Sequence, residues 1–405
     1  MRICFFNRCY WPDAEATGQL LTQLCESLAR RWDVTAVVGQ PNFAIDEADE
    51  NTPAPAGSVA ARGARKQSVA QMRNGVRIER LPHLQLPKHR RLGRLANLIS
   101  FTNQVRRWGR SVQCEADVLV CETDPFFMPL VVRRIARRSN AKLVFYLQDI
   151  YPDVAVALGV VRDGRVARTI RNRLRAAYRE ADAIVVLDED MRDRLVDWGL
   201  DASNIEIVPN WVDCSLIRPM KTANAFRREQ GIDAKFVVMH SGNMGLTQRL
   251  DVLIRAMGDP RTDSDEILLA LVGGGAKRRS LEALASGLSN VRFWDYQPQD
   301  RLAESLSAAD LHVISMDERI TGCIAPSKLY GILGSGTPIL AIVPPDSAVW
   351  RFVREHSLGW TAEPGDCDAI ATAIAEAARC DRETMRRMGE TGRRLAETEY
   401  ERVHC

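Results

Sequence analysis

Ala325-Pro326-Ser327-Lys328-Leu329-Tyr330-Gly331-Ile332-Leu333-Gly334-Ser335-Gly336-Thr337-Pro338 is the stretch on which the reading of the fold turns. It follows an apolar, strand-like run, Leu311-His312-Val313-Ile314-Ser315, and a short polar loop over 317–322. Pro326 suits the first turn of a helix, where its missing N–H costs nothing. Ser327 and Lys328 fall in the same turn, so unpaired backbone N–H groups, the positive end of the helix dipole and an ammonium converge there. That combination suits a phosphate. Gly334, Gly336 and Pro338 end the short helix before the next apolar run, 339–343. A Pro-Ser helix start with a solvated lysine is the plainer reading of the tripeptide alone; the strand–loop–helix order around it is what favours the phosphate.

Working outward, residues 2–6 read as a buried strand and 17–30 as a helix, with Leu20, Leu21, Leu24 and Leu28 at helical spacing. Further strands are expected at 34–38, 76–80, 118–120, 142–147, 183–186 and 205–207. Helices are expected at 90–109, 129–139, 162–180 and 189–198. Residues 45–72, rich in Ala, Pro, Gly and charge, read as a mobile loop. After Pro209-Asn210-Trp211-Val212-Asp213 the pattern restarts, with strands at 236–240, 267–272, 291–293 and 311–315 and helices at 247–257, 277–287 and near 300–308. Such alternation predicts parallel sheets covered by helices on both faces. The chain is therefore read as α/β, with two doubly wound, Rossmann-like domains facing a cleft, over 1–210 and from 211 onward. Ligands in such sheets bind beyond the carboxyl ends of the strands.

Length and composition agree. At 405 residues, with 46% apolar and 26% charged residues, the chain is an ordinary globular protein with material for two cores. No apolar run approaches the ~18–20 residues of a membrane span. The first residues are too few and too charged for a signal peptide, so a cytosolic location is expected. The ten cysteines show neither a C-x-x-C pair nor a partner histidine spacing, which points to thiols in a reducing compartment and not to zinc.

The net charge of +3 conceals an asymmetry: residues 1–210 carry 31 Lys and Arg against 25 Asp and Glu, and residues 211–405 carry 24 against 27. The excess lies mostly in 88–110, with seven basic residues and no acidic one. In the helix expected there, Leu92, Leu95, Leu98, Ile99, Phe101, Val105 and Trp108 supply apolar bulk, flanked by Arg90, Arg91, Arg94, Arg106, Arg107 and Arg110. Two readings stand: a helix lying on anionic lipid, or one packed on the sheet with solvated arginines. Nucleic acid is disfavoured, because no stacking platform or recognition motif is interleaved with the charge.

Further strand ends carry candidate chemistry. His240-Ser241-Gly242-Asn243-Met244-Gly245 closes one strand, and its glycines let backbone amides approach a ligand. Val272-Gly273-Gly274-Gly275-Ala276 closes the next and is not the G-x-G-x-x-G dinucleotide fingerprint. Ala16-Thr17-Gly18-Gln19 opens a helix after the first strand, placing a small residue at a ligand's edge.

The chain resembles family 4 glycosyltransferases of GT-B architecture, of the bacterial O-antigen and colanic-acid type. The resemblance is carried by Tyr10-Trp11-Pro12 with Thr17-Gly18, and by Leu147-Gln148-Asp149-Ile150-Tyr151-Pro152-Asp153 followed by Ala157-Leu158-Gly159. It continues through Val208-Pro209-Asn210-Trp211-Val212-Asp213, Ser241-Gly242-Asn243-Met244-Gly245 and Pro326-Ser327-Lys328-Leu329-Tyr330. It implies a retaining transfer of a sugar from a nucleotide-sugar, with UDP the expected nucleotide and no metal or other cofactor. The implied acceptor is a lipid-linked saccharide at the cytoplasmic face of the membrane. The second domain, 211–382, would bind the donor, and residues 383–405 would form a helix returning to the first. Lys328 and the amides of 241–245 would hold the diphosphate, with Gly274, Pro326 and Ser327 around it and the base against Tyr296 in the 293–297 loop. Gly18 would border the donor, Thr17, Gln148 and Tyr151 would serve the acceptor, and Asp149 and Lys328 would be the catalytic residues.

The sequence departs from that pattern. Gly331 stands where many relatives place a Glu that accepts from the ribose hydroxyls. Neutral Asn243 and Gln248 stand nearest the Arg and Lys that grip the diphosphate, with Arg249 or Arg319 as candidate substitutes. Asp149 also reads as a cap of the following turn, and Glu122-Thr123-Asp124-Pro125 reads mainly as turn chemistry. His240 reads as a packed strand end, and Asp13 and Glu15 as loop carboxylates near the acceptor. The departures keep a non-catalytic GT-B scaffold open as the alternative; an epimerase of the same architecture lacks its acid–base set here.

Overall fold

A computed structural model describes residues 1–13, 16–41, 69–86, 91–111, 115–222 and 224–404. The chain divides into two compact units, Met1–Val208 with Gly322–Ala325, and Pro209–Thr321 with Pro326–Cys405. Lys88, Arg90, the side chain of Arg91, Glu15, Cys405 and residues 42–68, most of the expected mobile loop, lie outside the described residues.

Within its described residues the first unit is built on an eight-stranded sheet in the order β3-β4-β2-β1-β5-β6-β7-β8. The strands are β1 (Arg2–Phe6), β2 (Asp33–Val38), β3 (Val69–Arg73), β4 (Val76–Arg80), β5 (Val118–Cys121), β6 (Lys142–Tyr146), β7 (Ala183–Val186) and β8 (Ile205–Ile207). Every pairing is parallel except β3 with β4. Residues 69–72 are thus strand, not loop. The turn that makes them so is Asn74-Gly75, with φ of 45° and 82°. Two left-handed residues in a two-residue connection match the twist of an antiparallel hairpin. Phe6, Val37, Leu119 and Phe145 are fully buried, from four adjacent strands. Each side chain so buried contributes roughly 1.5–3 kcal/mol. The chain turns outward from β1 through β2 in one direction and from β5 onward in the other, so the sheet reverses between β1 and β5.

The second unit holds a six-stranded sheet, again within the described residues, in the order β11-β10-β9-β12-β13-β14. Its strands are β9 (Phe236–Ser241), β10 (Ile267–Val272), β11 (Val291–Trp294), β12 (Leu311–Ser315), β13 (Ile339–Ile342) and β14 (Gly359–Ala362), all parallel. β10 is buried at every position, as a central parallel strand covered on both faces must be. This sheet reverses between β9 and β12. β14 and the helices Ala348–Glu355 and Cys367–Arg379 extend the alternation beyond the 339–343 run.

The tail groups with the second unit. Helix Arg382–Thr398 lies on helix Lys328–Ser335. Gly389 makes that approach feasible, since a Cβ there would stand 2.2 Å from the carbonyl oxygen of Gly336. Arg393 then donates to the carbonyl oxygens of Ile217 (2.6 Å), Gly334 (2.7 Å) and Cys214 (3.0 Å).

Candidate functional site

In the second unit the expected phosphate residues gather at the β9–β12 reversal, the position where doubly wound sheets bind ligands. Helix Lys328–Ser335 begins two residues later than expected. Ser327 is its N-cap, with no side-chain capping bond, and Pro326 lies just before it. Lys328 is half-buried, and its Nζ donates to Nε2 of His240, at the end of β9, across 2.8 Å. His240 is fully buried. Burial, followed by the ammonium beside it, drives the imidazole well below its usual pKa, so it is a neutral acceptor. Burial likewise lowers the Lys328 ammonium to about 7.

The two glycine loops are laced together. Gly242 N–H donates to the carbonyl of Val272 (2.8 Å), Met244 N–H to that of Gly274 (2.7 Å) and Lys277 N–H to that of Met244 (3.0 Å). Arg278 fixes the far side by donating to the Gly273 carbonyl at 2.7 Å. Gly245 N–H is taken by the Gln248 side chain at 2.8 Å. Three amides expected to hold a diphosphate are therefore engaged within the protein, whereas Asn243 N–H has no partner among the described residues. Gln248, one of the neutral departures, acts as the acceptor that caps Gly245.

The candidate arginines are also engaged. Arg319 clasps Asp317 through two bonds, 2.8 and 2.7 Å, and Asp317 is almost wholly buried. That clasp holds the Asp317 carboxyl below its usual range. Arg249 stands at the N-cap position of helix Leu250–Ala256 with no side-chain capping bond, and its Nε lies 3.6 Å from Asp251. Tyr296 is half-exposed; its hydroxyl donates to Gly274 at 3.3 Å and its ring covers Gly274, where a Cβ would meet Cε2 at 3.3 Å. Ser241 ends β9 beside this loop. At Gly331 the nearest atom to an added Cβ is Leu306 Cδ1, at an ordinary 3.7 Å, so packing does not demand glycine there.

In the first unit the residues expected to border the donor (Gly18), to serve the acceptor (Thr17, Gln148, Tyr151) and to act in catalysis (Asp149) lie around the β1–β5 reversal. Gly18 is buried against the backbone of Tyr10 (a Cβ would stand 3.3 Å from its nitrogen), and Thr17 is half-buried beside it. Gln148 is 8% exposed, and its Nε2 has no hydrogen-bond partner among the described residues. Asp149 pairs with Ile324 as an isolated bridge, so its backbone is held by that pairing. Burial, then the carboxylate of Asp124, raise its pKa to about 6, against the opposing pull of Arg94. Tyr151 stacks on Phe126 with ring centres 4.9 Å apart.

Glu122 alters the reading of this unit. It directly follows β5, is 1% exposed, and its Oε2 has no partner among the described residues. Burial first, then Asp124 and Asp149, hold its carboxyl protonated well above the usual range. Asp124 itself is bound by Arg8, at 2.8 Å. Glu122 and Gln148 thus leave two buried polar atoms unsatisfied beside Asp149. Turn chemistry does not account for that, although a glutamate closing an apolar strand was a visible signal.

Residues 16–211 match the family model described as "Glycosyl transferase 4-like domain", and residues 222–395 match "Glycosyl transferases group 1". The chain is a family 4 glycosyltransferase of GT-B architecture. The glycosyltransferase is 26% identical over 395 residues to a protein of Escherichia coli (strain K12) named as a colanic acid biosynthesis glycosyl transferase, WcaI, covering 93% of this chain and 92% of that one. It is 24% identical over 287 residues to the glycosyltransferase WbjE of Pseudomonas aeruginosa, covering 70% and 69%. Among solved structures it is similar to HepE of Anabaena, a structure in complex with UDP. The TM-score is 0.70 and the identity 15%, over 100% of this chain and 96% of that one.

The basic helix of the glycosyltransferase spans Arg91–Ser111. Asn97, Phe101, Val105 and Trp108 form its buried face, and Trp108 Nε1 donates to Glu79 at 2.6 Å. Leu92 (83% exposed), Leu95 (43%) and Ile99 (45%) lie on the opposite face. By helical spacing Arg106 and Arg110, also exposed, continue that outer stripe. Asn97 bonds both backbone groups of Leu86, each at 2.8 Å, which fixes exposed Leu84 and Leu86 alongside. No helix of the described residues is long and apolar enough to cross a membrane.

Proposed function

We propose that this enzyme moves a sugar, with retention, from a UDP-sugar to a lipid-linked saccharide in the synthesis of a cell-surface polysaccharide. The observation that carries the reading is the Lys328 ammonium at the start of helix Lys328–Ser335, held beside the Gly242–Gly245 loop at a sheet reversal. Cleaving a glycosyl–phosphate bond needs charge stabilised on the departing diphosphate, and a preorganised cation with fixed N–H groups supplies it. Asn243 N–H is the loop amide suited to join it. Gly245 N–H can do so by exchanging the Gln248 oxygen for a phosphate oxygen. Gln148, Asp149 and Tyr151 serve the sugar and acceptor hydroxyls. With its pKa near 6, Asp149 is mostly ionised at neutral pH and accepts a hydrogen bond from such a hydroxyl.

The names of WcaI and the UDP complex of HepE support the pathway and the nucleotide. The lipid-linked acceptor and the membrane contact are supported by the outer face of helix Arg91–Ser111. There an apolar stripe and arginines share one side, as interfacial helices require.

The test is calorimetry of the purified protein against UDP, GDP, ADP and their sugar conjugates. Saturable binding of UDP and its conjugates is expected, weakened in Lys328→Ala by about 2–3 kcal/mol, the scale of a charge-assisted contact. Unchanged affinity in Lys328→Ala removes the residue from the site. Silence across the whole panel turns the reading to a non-catalytic scaffold, with Gly331 and the engaged loop amides as its physical basis.

A further inference from the structure

We infer that His240 is a positioning residue for the donor phosphates: a buried neutral imidazole that holds the Lys328 ammonium over the glycine loop. The inference rests on the reading of Lys328 as the phosphate-binding cation.

The sequence suggests only a packed strand end, but the geometry goes further. A lysine side chain with four rotatable methylenes has no intrinsic reason to hold one direction. Here three features give it one. His240 Nε2 accepts from Nζ at 2.8 Å, and the carbonyl of Asn243 lies 3.4 Å from the same nitrogen. Gly242, with φ of 123°, leaves room for the methylene chain, since a Cβ on it would stand 2.7 Å from Lys328 Cε. The ammonium has three donors, so those held by the imidazole and by the Asn243 carbonyl leave one for a ligand.

The imidazole also has the right protonation state for this work. His240 is fully buried, and a second buried histidine, His312, lies on the adjacent strand β12. Among the described residues, these two rings are the ones whose shifted titration Lys328 influences, Lys221 acting on His312 as well, and both titrate below their usual range. Neither competes with the ammonium as a cation near neutral pH. A neutral acceptor stabilises the ammonium against the burial that lowers its pKa. Removing the acceptor must lower that pKa further, and with it the fraction of protein able to grip a phosphate at neutral pH.

The chain contains seven lysines, so the ε-carbon resonances of lysine can be resolved in a labelled sample. Lys328 is assigned by the signal lost in Lys328→Arg. The wild-type resonance should titrate near pH 7. In His240→Leu the midpoint should move down by about one pH unit, and in His240→Gln, which restores a neutral acceptor, it should return most of the way. UDP affinity, measured by calorimetry from pH 6 to 9 with Lys328→Ala correcting for the ligand's own protonation, should follow. His240→Leu should lose about tenfold at pH 7.5, and His240→Gln should stay within about threefold of wild type. A Lys328 midpoint unmoved in His240→Leu overturns the inference, whatever the ligand does. Should the midpoint move while Lys328→Ala binds UDP like wild type, the pairing stands and the phosphate assignment of Lys328 fails. A His240→Leu protein that does not fold leaves His240→Gln and His240→Asn as the series. Equal midpoints for Gln and for the shorter Asn, which cannot reach Nζ equally well, overturn the positioning role.

Discussion

Gly242 and Lys328 interlock: a Cβ on Gly242 would stand 2.7 Å from Cε of Lys328, and Gly242 itself sits at a φ of 123° that side chains rarely adopt. Gly242→Ala therefore carries two penalties, backbone strain and displacement of the lysine. Since Lys328 ends in a flexible chain, the fold should survive while the ammonium is pushed from His240. The expected result is a loss of UDP affinity approaching that of Lys328→Ala, with a fall in melting temperature of a few degrees. Wild-type affinity in a folded Gly242→Ala protein shows that the lysine's path along the glycine is irrelevant to binding.

Gly331 is the opposite case. No left-handed φ and no tight contact require glycine, and the first neighbour of an added Cβ is 3.7 Å away. Gly331→Glu should fold, with helix propensity improved by about 0.5–1 kcal/mol. If the ribose lies against this turn, the new carboxylate should strengthen UDP binding by about 1.5–3 kcal/mol, the range of hydrogen bonds to a charged group. Calorimetry of the variant beside wild type reads this directly. A folded variant with unchanged affinity places the ribose elsewhere.

Much of the architecture was legible before any coordinates, because buried parallel strands and amphipathic helices differ in period. Helix Pro129–Ser139 and strand Ile267–Val272 fall at the expected bounds for that reason. The strand Val69–Arg73 was hidden by a neighbouring stretch rich in Ala, Pro and charge, although Asn74-Gly75 is itself a hairpin signal. The tail helix was assigned by resemblance, and the fit of Gly389 to Gly336 is a three-dimensional fact with no one-dimensional signature. At the site, residue types were visible but their partners were not. Arg319 reads as a free cation until Asp317 is seen clasping it. His240 reads as packing until Lys328, 88 residues away, is found on its nitrogen.

Glu122 gives a prediction about pH. Its native pKa lies well above the roughly 4.3 of an unfolded glutamate, so the native state keeps a proton that unfolding releases. Stability from this group is fully present below about pH 4.3 and is lost as pH rises toward the native pKa. Glutamine mimics the protonated carboxyl without that loss. Glu122→Gln should thus match wild type near pH 4.5 and be the more stable of the two at pH 8. Denaturant melts at the two pH values check it. An identical pH dependence in both proteins means that Glu122 is ionised in the native state.

The outer face of helix Arg91–Ser111 provides the test of membrane contact. Leu92, Leu95 and Ile99 are exposed on the side away from Phe101 and Val105, so polar replacements leave the core untouched. The triple variant Leu92→Ser, Leu95→Ser, Ile99→Ser should melt close to wild type, as surface substitutions usually do. In sedimentation with vesicles containing phosphatidylglycerol, it should lose most of its binding. Arg106→Gln, Arg107→Gln and Arg110→Gln together remove three cations, each contributing about 1 kcal/mol near an anionic surface, so recruitment should fall by roughly 100-fold. The two sets differ in their salt response. Binding that depends on the arginines should weaken between 50 mM and 500 mM salt, as screening shortens their reach, whereas the leucine contribution should persist. Equal recruitment of wild type and both variants at low salt removes this face from the enzyme's encounter with a lipid-linked acceptor.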